Sequence, residues 1–325
     1  MIEIRETTAA DLENVKRLWA DGDVMRYVGF PDGLHQTDEE MKRWYRWIAS
    51  ERPAVNHFSI FEAGAYCGET FYEIDRTHDD SAAMDIKLFG FARGRGIASE
   101  ALSYAIDAAF RNGARKAWVD PNPQNEKALA LYERLGFRRK DRPPHLMPED
   151  EAPESIYMEL CREQLLEPVF ESDRIRYVGL SELLIADYLT MVNDIEHVDR
   201  FIGDGHEPFT VEQETGWVRQ KQKENAVVFS MIEKRSGRFI GNIELMDAAG
   251  GEGELGIAIT AGMQDAGYGT EAVLAMTEYG MDRLGLNRIW LRTKPDNARA
   301  IHVYEKCGFR EYDRKEERVW MELRR

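Results

Sequence analysis

Two glycine-rich stretches, half a chain apart, carry the residues with the clearest potential for chemistry. The first is Arg93-Gly94-Arg95-Gly96-Ile97-Ala98, and the second is Gln264-Asp265-Ala266-Gly267-Tyr268-Gly269. Each stands between a predicted strand and a predicted helix. Glycine lets a backbone approach a ligand closely, and the first turn of a helix leaves N–H donors unpaired. Both stretches are therefore candidate cradles for a diphosphate group.

The side chains around these loops fit an anion but do not demand one. Arg93 and Arg95 add positive charge to the first loop, and Ser99 and Thr270 place hydroxyl groups at the start of the following helices. A turn that needs a positive φ would explain the glycines equally well, and arginines are common on solvated surfaces. The loops alone leave both interpretations open.

A second pattern follows each loop. It consists of an asparagine, an alanine, a tyrosine and a Gly-Phe pair, which are Asn125, Ala128, Tyr132 and Gly136-Phe137 in the first copy and Asn297, Ala300, Tyr304 and Gly308-Phe309 in the second. The loops repeat at an interval of 171 residues (93 to 264) and the tyrosines at 172 (132 to 304). Similarity spread over several elements indicates that a whole domain is duplicated.

The elements that must position these residues are predicted in the same order in both halves. Each half begins with a short strand, at 2–5 and at 175–178. A later helix begins at an N-cap threonine, Thr37 or Thr210, and a glutamate or glutamine stands three residues further on. That spacing is typical of a capping box.

Further strands are predicted on both sides of each glycine loop. A hairpin comes first, with strands at 58–62 and 66–74 in the first half and at 227–233 and 239–245 in the second. The next strand, 84–88 or 254–259, runs directly into the loop, and the helix after the loop has apolar residues at helical spacing. Trp118 and Trp290 lie on the strand that follows. The order predicts an α/β fold with a mixed sheet, built twice in tandem.

The repeat sets the expected domain limits. We place the first domain at 1–162, a linker at 163–172 and the second domain at 173–325. With 325 residues, of which 43% are hydrophobic and 31% charged, the chain can bury a sizeable core in each of two domains.

Composition argues against several classes of protein. No run approaches the roughly 18 apolar residues that span a bilayer, and the chain begins with the alternating Ile2-Glu3-Ile4. The three cysteines, Cys67, Cys161 and Cys307, are an odd number and widely spaced, which argues against a disulfide framework or a zinc site. The histidines show no ligand spacing either. We therefore expect a cytoplasmic protein with no metal and no membrane partner.

The net charge of −16 bears on the partners. It argues against nucleic-acid binding and would attract cationic ligands, although an acidic surplus also serves solubility alone.

Together, the two repeated patterns resemble the GNAT superfamily of N-acetyltransferases, over about 1–160 and 173–325. The segments Val24–Gly29 and Val198–Gly203 further resemble the group of ribosomal-protein N-terminal acetyltransferases and related small-amine acetyltransferases. The resemblance implies two tandem acyl-CoA N-acyltransferase domains that use acetyl-CoA as co-substrate.

The resemblance also implies where acetyl-CoA binds. It would lie in a wedge where the strand before each loop parts from the strand with Trp118 or Trp290, and its diphosphate would rest on the loop. The implied binding residues are Arg93, Gly94, Arg95, Gly96, Ile97, Ala98 and Asn125 in the first domain and Gln264, Ala266, Gly267, Tyr268, Gly269, Thr270 and Asn297 in the second. The asparagines match a family residue that contacts the pantetheine arm, and capping of the next helix is an alternative or additional role.

Transfer of acetyl to an amine requires an acid and a base. An amine with a pKa near 10 must lose a proton before attack, and the departing thiolate benefits from gaining one. Tyr132 and Tyr304 stand at the family's tyrosine position and fit the acid, with core packing as the alternative. Glu254 matches a glutamate that the family often uses as base through water; an exposed strand carboxylate is the alternative.

The first domain departs from this pattern. Its residue at the position of Glu254 is Ala83, and the nearest acid on the same strand face is Asp85. We therefore expect the second domain to be the catalyst, and the first to be active, weakly active or structural.

The expected activity is a direct acetyl transfer to a primary amine, either a small cationic amine or a peptide N-terminus. Cys307 is better explained as a buried structural thiol than as a nucleophile. Two alternatives remain: one half is a non-catalytic cofactor-binding or structural domain, or the chain is an aminoglycoside-modifying acetyltransferase. Nucleic acid is not an expected partner, and the expected assembly is a monomer or a homodimer.

Overall fold

Each half of the chain builds one mixed sheet around the strand that leads into its glycine loop. The computed structural model describes residues 1–147, 155–199 and 207–325. It separates the chain into two units, Met1–Arg162 and Glu163–Arg325. The predicted fold class, α/β with two tandem mixed sheets, is confirmed.

The first unit contains seven strands and five α-helices among its described residues. The strands are β1 Ile2–Glu6, β2 Val55–Glu62, β3 Ala65–Asp75, β4 Ser81–Leu88, β5 Lys116–Val119, β6 Arg138–Arg139 and β7 Met158–Cys161. The helices are α1 Leu12–Trp19, α2 Gly22–Met25, α3 Asp38–Glu51, α4 Ile97–Arg111 and α5 Glu126–Arg134. The sheet order is β1-β2-β3-β4-β5-β7-β6.

The second unit repeats this plan with one more strand. Its strands are β8 Pro168–Glu171, β9 Ile175–Gly179, β10 Val227–Glu233, β11 Phe239–Ala249, β12 Glu252–Ile259, β13 Arg288–Thr293, β14 Arg310–Arg314 and β15 Val319–Arg324. Its α-helices are α6 Ile185–Val192, α7 Val211–Lys223, α8 Tyr268–Glu278 and α9 Ala298–Lys306. The sheet order is β14-β15-β13-β12-β11-β10-β9-β8.

The extra strand comes from the segment that the sequence predicted as a linker. Within 163–172, β8 pairs antiparallel with β9. The ring of Phe170 on β8 stacks on Tyr177 of β9, with the ring centroids 4.2 Å apart. This segment therefore adds an edge strand to the second sheet.

Local sequence explains the helices that flank the sheets. Thr37 and Thr210 are N-caps of α3 and α7, and each forms a capping box with the residue three positions later. The helix after each glycine loop buries its apolar stripe: Ala101, Leu102 and Ala105 of α4 are fully buried, as are Ala272 and Val273 of α8. Both features were predicted from spacing alone.

The feature that positions the functional residues is a short parallel contact in each sheet. In the first unit, β4 pairs with β5 over Ser81–Ala83 and Lys116–Trp118. In the second, β12 pairs with β13 over Glu252–Glu254 and Arg288–Trp290. Beyond these rungs the strands part while β4 and β12 continue to the glycine loops. We call each gap the wedge, and its last paired rung the apex.

Two further sequence expectations concern the Val198–Gly203 segment and membrane-spanning helices. The Val198–Gly203 segment lies outside the described residues from position 200 onward. In the described ranges, no helix has both the length and the apolar character that crossing a membrane requires.

Candidate functional site

The glycine loops have the same backbone conformation in both units. Gly94 and Gly96 have φ angles of 75° and 84°, and Asp265 and Gly267 have 60° and 83° at the corresponding positions. These are left-handed angles, which glycine adopts at little cost and other residues rarely adopt. A Cβ added at Gly94 or Gly96 would meet no atom within 4 Å. The first loop is therefore open to a ligand above its backbone.

Each loop ends in a helix whose start has no side-chain cap. Gly96 is the N-cap residue of α4 and Gly267 that of α8, and neither helix start has a side-chain capping bond. The first-turn N–H groups and the positive end of the helix dipole are therefore available to an anion. The geometry fits the predicted diphosphate cradle, and binding at these residues remains a prediction.

The residue that opens each loop has the same structural role. The Arg93 Nε donates to the Leu88 carbonyl at 3.0 Å, and the Gln264 Nε2 donates to the Ile259 carbonyl at 2.9 Å. Both side chains thus tie the loop to the end of the strand that precedes it. Only the arginine brings a charge, and its Nη1 forms an ion pair with Asp23 Oδ2 at 2.8 Å.

The charge at the two loops differs. Arg95 of the first loop is half-exposed and pairs with Glu62 at 2.7 Å. In the second loop the exposed Asp265 carboxylate lies 3.2 Å from Arg299. The first loop therefore contains two arginines, whereas the second contains a carboxylate and takes its cations, Arg299 and Arg174, from outside the loop.

Some predicted binding residues can contact a ligand only through their backbone. The Ile97 side chain is fully buried in the core, and Tyr268 is buried with its hydroxyl donating to Glu233. The Ala266 carbonyl accepts a hydrogen bond from Arg174 at 2.9 Å. The remaining loop positions, Ala98, Gly269 and Thr270, lie at the helix starts.

The two asparagines are N-caps. The Asn125 Oδ1 accepts from the Ala128 N–H at 3.2 Å, and the Asn297 Oδ1 accepts from the Ala300 N–H at 3.2 Å. The capping role considered from sequence is therefore present in both units. The contact with a pantetheine arm remains a prediction.

The tyrosines are buried phenols without a partner. Tyr132 and Tyr304 are each 7% exposed, and each packs near the phenylalanine of its Gly-Phe pair. Among the described residues, neither hydroxyl has a hydrogen-bond partner. Burial raises the pKa of Tyr304 to about 12, and burial together with the carboxylates of Asp85 and Asp120 raises the pKa of Tyr132. Both phenols therefore keep their proton at neutral pH and can donate it.

Glu254 lies at the apex of the second wedge. It is 7% exposed, and its Oε1 lies 2.9 Å from the Nε of Arg292. Burial raises the pKa of the carboxyl, Arg292 opposes that shift, and the charges of Asp247 and Glu244 add to it. The net pKa lies above the ordinary value for glutamate, which makes the carboxylate a stronger proton acceptor.

Asp85, the acid predicted for the first wedge, is engaged by a lysine. Lys87, two residues along β4, donates to the Asp85 carboxylate and also lies 3.4 Å from Glu69 Oε1. Glu69 is buried and accepts from Trp19 Nε1 at 2.8 Å, and its Oε2 lies 3.1 Å from His57 Nε2. Burial disfavours the ionised form of Glu69, but the charges of His57 and Lys87 lower its pKa.

The sequence reasoning missed this buried group, which we call the lysine cluster: His57, Glu69, Asp85 and Lys87. The sequence contains a signal, because Asp85 and Lys87 alternate on the predicted strand 84–88 and Glu69 lies on the predicted strand 66–74. The cluster lowers the suitability of Asp85 as a base, since a carboxylate that neutralises a buried lysine gains little by taking a proton.

A second group was also missed. Asp75, His78 and His145 bring possible metal-ligand atoms within 4.8 Å of one another. His78 Nδ1 lies 2.6 Å from Asp75 Oδ2, and the two imidazole rings stack with centroids 4.3 Å apart. Because His78 and His145 are far apart in sequence, spacing could not indicate this contact.

A family model described as Acetyltransferase (GNAT) domain matches residues 2–138 and 174–310. An uncharacterized N-acetyltransferase, YnaD of Bacillus subtilis, is 30% identical over 115 residues, which cover 35% of this chain and 66% of that protein. The spermidine N(1)-acetyltransferase of Vibrio cholerae is 29% identical over 88 residues, 26% of this chain and 51% of that protein. The matched regions thus span less than two thirds of these relatives.

Solved structures are similar to half of the chain. The spermidine N-acetyltransferase of Vibrio cholerae, in complex with CoA and spermine, is 21% identical, covers 50% of this chain and 96% of its own, and has a TM-score of 0.42. An acetyltransferase of the GNAT family from Bacillus anthracis is 21% identical, covers 47% of this chain and 96% of its own, and has a TM-score of 0.43.

Proposed function

The chain belongs to the GNAT acetyltransferase family, and we propose that it is an N-acetyltransferase that moves the acetyl group of acetyl-CoA onto a primary amine. The observation that carries the proposal is the repeated arrangement at each wedge. Two strands part, one of them runs into a left-handed turn, and the turn ends in an uncapped helix start. We assign one such domain to 1–162 and one to 173–325.

The loops would hold the diphosphate of acetyl-CoA. Gly94 and Gly96 leave the backbone of the first loop open, Arg174 lies beside Ala266 and Gly267 in the second, and the first turn of α4 or α8 supplies N–H donors. Arg93 and Arg95 add attraction in the first domain. The co-substrate supplies an acyl group activated as a thioester, so no protein nucleophile is required.

In the second domain Glu254 would act as the base. Its raised pKa places proton uptake closer to neutral pH than for an ordinary glutamate, which favours transfer from an ammonium group through water. Arg292 holds the carboxylate and limits the shift, so that the group stays ionised and ready at neutral pH. The Tyr304 hydroxyl, protonated and without a partner among the described residues, would protonate the departing sulfur.

A small cationic amine is the acceptor that the charges favour. The carboxylates of Glu244 and Asp247 act electrostatically on Glu254 in the second domain, and the whole chain carries a net charge of −16. One relative acts, by its name, on spermidine. A peptide N-terminus is the second candidate, since one relative, 47% identical over 53 residues, is named N-alpha-acetyltransferase MAK3 of Arabidopsis thaliana. The resemblance of Val24–Gly29 to ribosomal-protein acetyltransferases favours the same acceptor.

A screen of acceptors tests the activity. The chain is incubated with acetyl-CoA and polyamines, amino acids, aminoglycosides or short peptides, and free thiol is measured. We expect release of thiol with at least one amine and binding of acetyl-CoA by calorimetry. The absence of thiol release with every amine would overturn the proposal, whether or not acetyl-CoA binds.

The tyrosine role has its own matched pair of variants. Tyr304→Phe removes only the buried hydroxyl and should lower the kcat of the second domain, measured in a chain whose first domain carries Tyr132→Phe, by about tenfold or more, with little effect on the affinity for acetyl-CoA. Tyr312→Phe removes an exposed hydroxyl on β14 and should change neither quantity. An unchanged kcat for Tyr304→Phe would remove the acid role.

A further inference from the structure

The apex of each wedge contains a glutamate, but on a different strand. In the second domain, Glu254 of β12 pairs across the antiparallel ladder with Met246 of β11. In the first, the residue at the position of Glu254 is Ala83 of β4, and it pairs with Glu73 of β3. Each domain therefore has one glutamate in this cross-strand pair. It lies on β3 in the first domain and on β12 in the second.

Both apex positions are defined by the parallel contact. Ala83 is the last residue of β4 that pairs with β5, opposite Trp118, and Glu254 is the last of β12 that pairs with β13, opposite Trp290. Directly opposed residues of an antiparallel pair point to the same face with Cβ atoms about 4.5–5.5 Å apart. Ala83 offers only a methyl group, so the longer Glu73 side chain has room to lie over the apex.

The surroundings of Glu73 differ from those of Asp85. The Asp85 carboxylate is taken by Lys87. Within the described residues Glu73 has no hydrogen bond and no ion pair. The carboxylates of Asp75, on its own strand, and Glu51, at the end of α3, act on it, and burial together with these like charges raises the pKa of Glu73. Glu73 is also exposed enough to return a proton to solvent.

We propose that Glu73 is the general base of the first domain, so that both domains catalyse acetyl transfer. This inference rests on the proposed acetyltransferase function. Glu73 takes one proton from the acceptor ammonium through water and passes it to solvent. The freed nitrogen lone pair forms the new C–N bond as the C–S bond of the thioester breaks. Tyr132 protonates the departing sulfur, and the second nitrogen proton returns through solvent to the Tyr132 oxygen. The sum is one amide, one thiol and one released proton.

The test isolates the first domain in the full chain. The double variant Glu254→Gln with Tyr304→Phe silences the second domain, and we expect residual turnover from the first. Adding Glu73→Gln should lower that residual kcat by about a hundredfold while the KM for acetyl-CoA stays within twofold. Because Glu73 is exposed, the substitution should leave folding unchanged, which thermal unfolding checks.

A rescue and a pH profile separate a base from a structural residue. Adding Ala83→Glu to the Glu73→Gln chain returns a carboxylate to the apex in the arrangement of the second domain, and should recover at least tenfold of the lost turnover. Glu51→Gln removes a like charge, so the pKa of Glu73 falls and the acid limb of the residual rate moves to lower pH. Carbon NMR titration of the Glu73 carboxyl, assigned by its loss in Glu73→Gln, should show the same shift without any substrate.

The outcomes distinguish the two proposals. If the unaltered chain releases no thiol with any amine, the acetyltransferase proposal fails, and the inference fails with it. If the unaltered chain is active but the silenced chain is not, only the inference is overturned. It is also overturned if the silenced chain is active and Glu73→Gln leaves its turnover unchanged.

Discussion

The two glycine loops have the same backbone conformation and differ in charge. The two apices each have a glutamate, but it lies on β3 in the first unit and on β12 in the second. The first loop carries Arg93 and Arg95, and the second carries Gln264 and Asp265. The unit with the more cationic loop is the one that lacks a glutamate on the strand before it. Because the loops share a backbone conformation and not their charges, we expect side chains to set the differences in affinity and rate between the two units.

The largest expected difference between the units is in stability and concerns the lysine cluster. Lys87→Met would leave the buried Glu69 without one of its two cationic neighbours and should lower the free energy of unfolding of the first unit by about 3 kcal/mol. The corresponding residue of the second unit is Ala258, opposite Asn242. Adding Glu69→Gln should restore part of the loss, because it removes the unpaired charge. Urea unfolding measures both variants, with the exposed Lys140→Met as control; a loss below 1 kcal/mol would show that the cluster is not stabilising.

The next effect is catalytic and belongs to the second unit. Glu254→Gln keeps the shape of the side chain and removes the base, so the kcat of the second unit, measured in a chain whose first unit carries Glu73→Gln, should fall by about a hundredfold. Glu252→Gln changes an exposed carboxylate two residues earlier on β12 and should leave kcat within twofold. Steady-state thiol release compares them. Equal rates for the two variants would place the activity elsewhere.

The pH dependence of the rate should respond to the charge beside Glu254. Glu254 must be ionised to act, so the rate is lost as pH falls through its raised pKa. Arg292 opposes that rise, and Arg292→Gln should therefore raise the pKa further and move the acid limb to higher pH. The rate on the plateau above that limb should change less than its position. A limb that moves to lower pH would contradict the assigned charges.

The smallest effect concerns the second loop. Asp265→Gly removes a negative charge and a left-handed non-glycine residue, and it frees Arg299 for an anion. We expect acetyl-CoA to bind about fivefold more tightly at the second site, or about 1 kcal/mol, and less so at high salt. The reciprocal Gly94→Asp should weaken the first site. Calorimetry resolves the two sites; an affinity that is unchanged by Asp265→Gly would mean that the diphosphate does not approach this loop.

The sequence predicted most of the elements because their signals are local. The capping boxes at Thr37 and Thr210, the hairpins and the strands that run into the loops all depend on spacing within a few residues. The pairing of Glu73 with Ala83 depends on the register across the 76–80 turn, which a repeat alignment along one strand does not give. The repeat therefore gives Ala83 at this position, although Glu73 lies directly beside it on the neighbouring strand.

Contacts between distant segments were equally out of reach. The stacking of His78 on His145 joins two loops, and the strand character of 168–171 arises only because β9 offers it an edge. Polar residues that share a buried face, as in the lysine cluster, become visible once neighbouring strands are known. Burial and partners are properties of the assembled sheet.

The brief parallel contact in each sheet has a consequence for aggregation and hydrogen exchange. Past the third rung, β4 and β12 each direct one row of backbone N–H and C=O groups into the wedge. Each sheet therefore contains an unpaired strand edge between two of its own strands. An edge at the rim of a sheet invites strands from other molecules, but this one is shielded by the other half of its own sheet. An extended ligand with amide groups can pair there as a missing strand would. Amides along the gap should then exchange rapidly in the free chain and slowly once the arm of acetyl-CoA is in place.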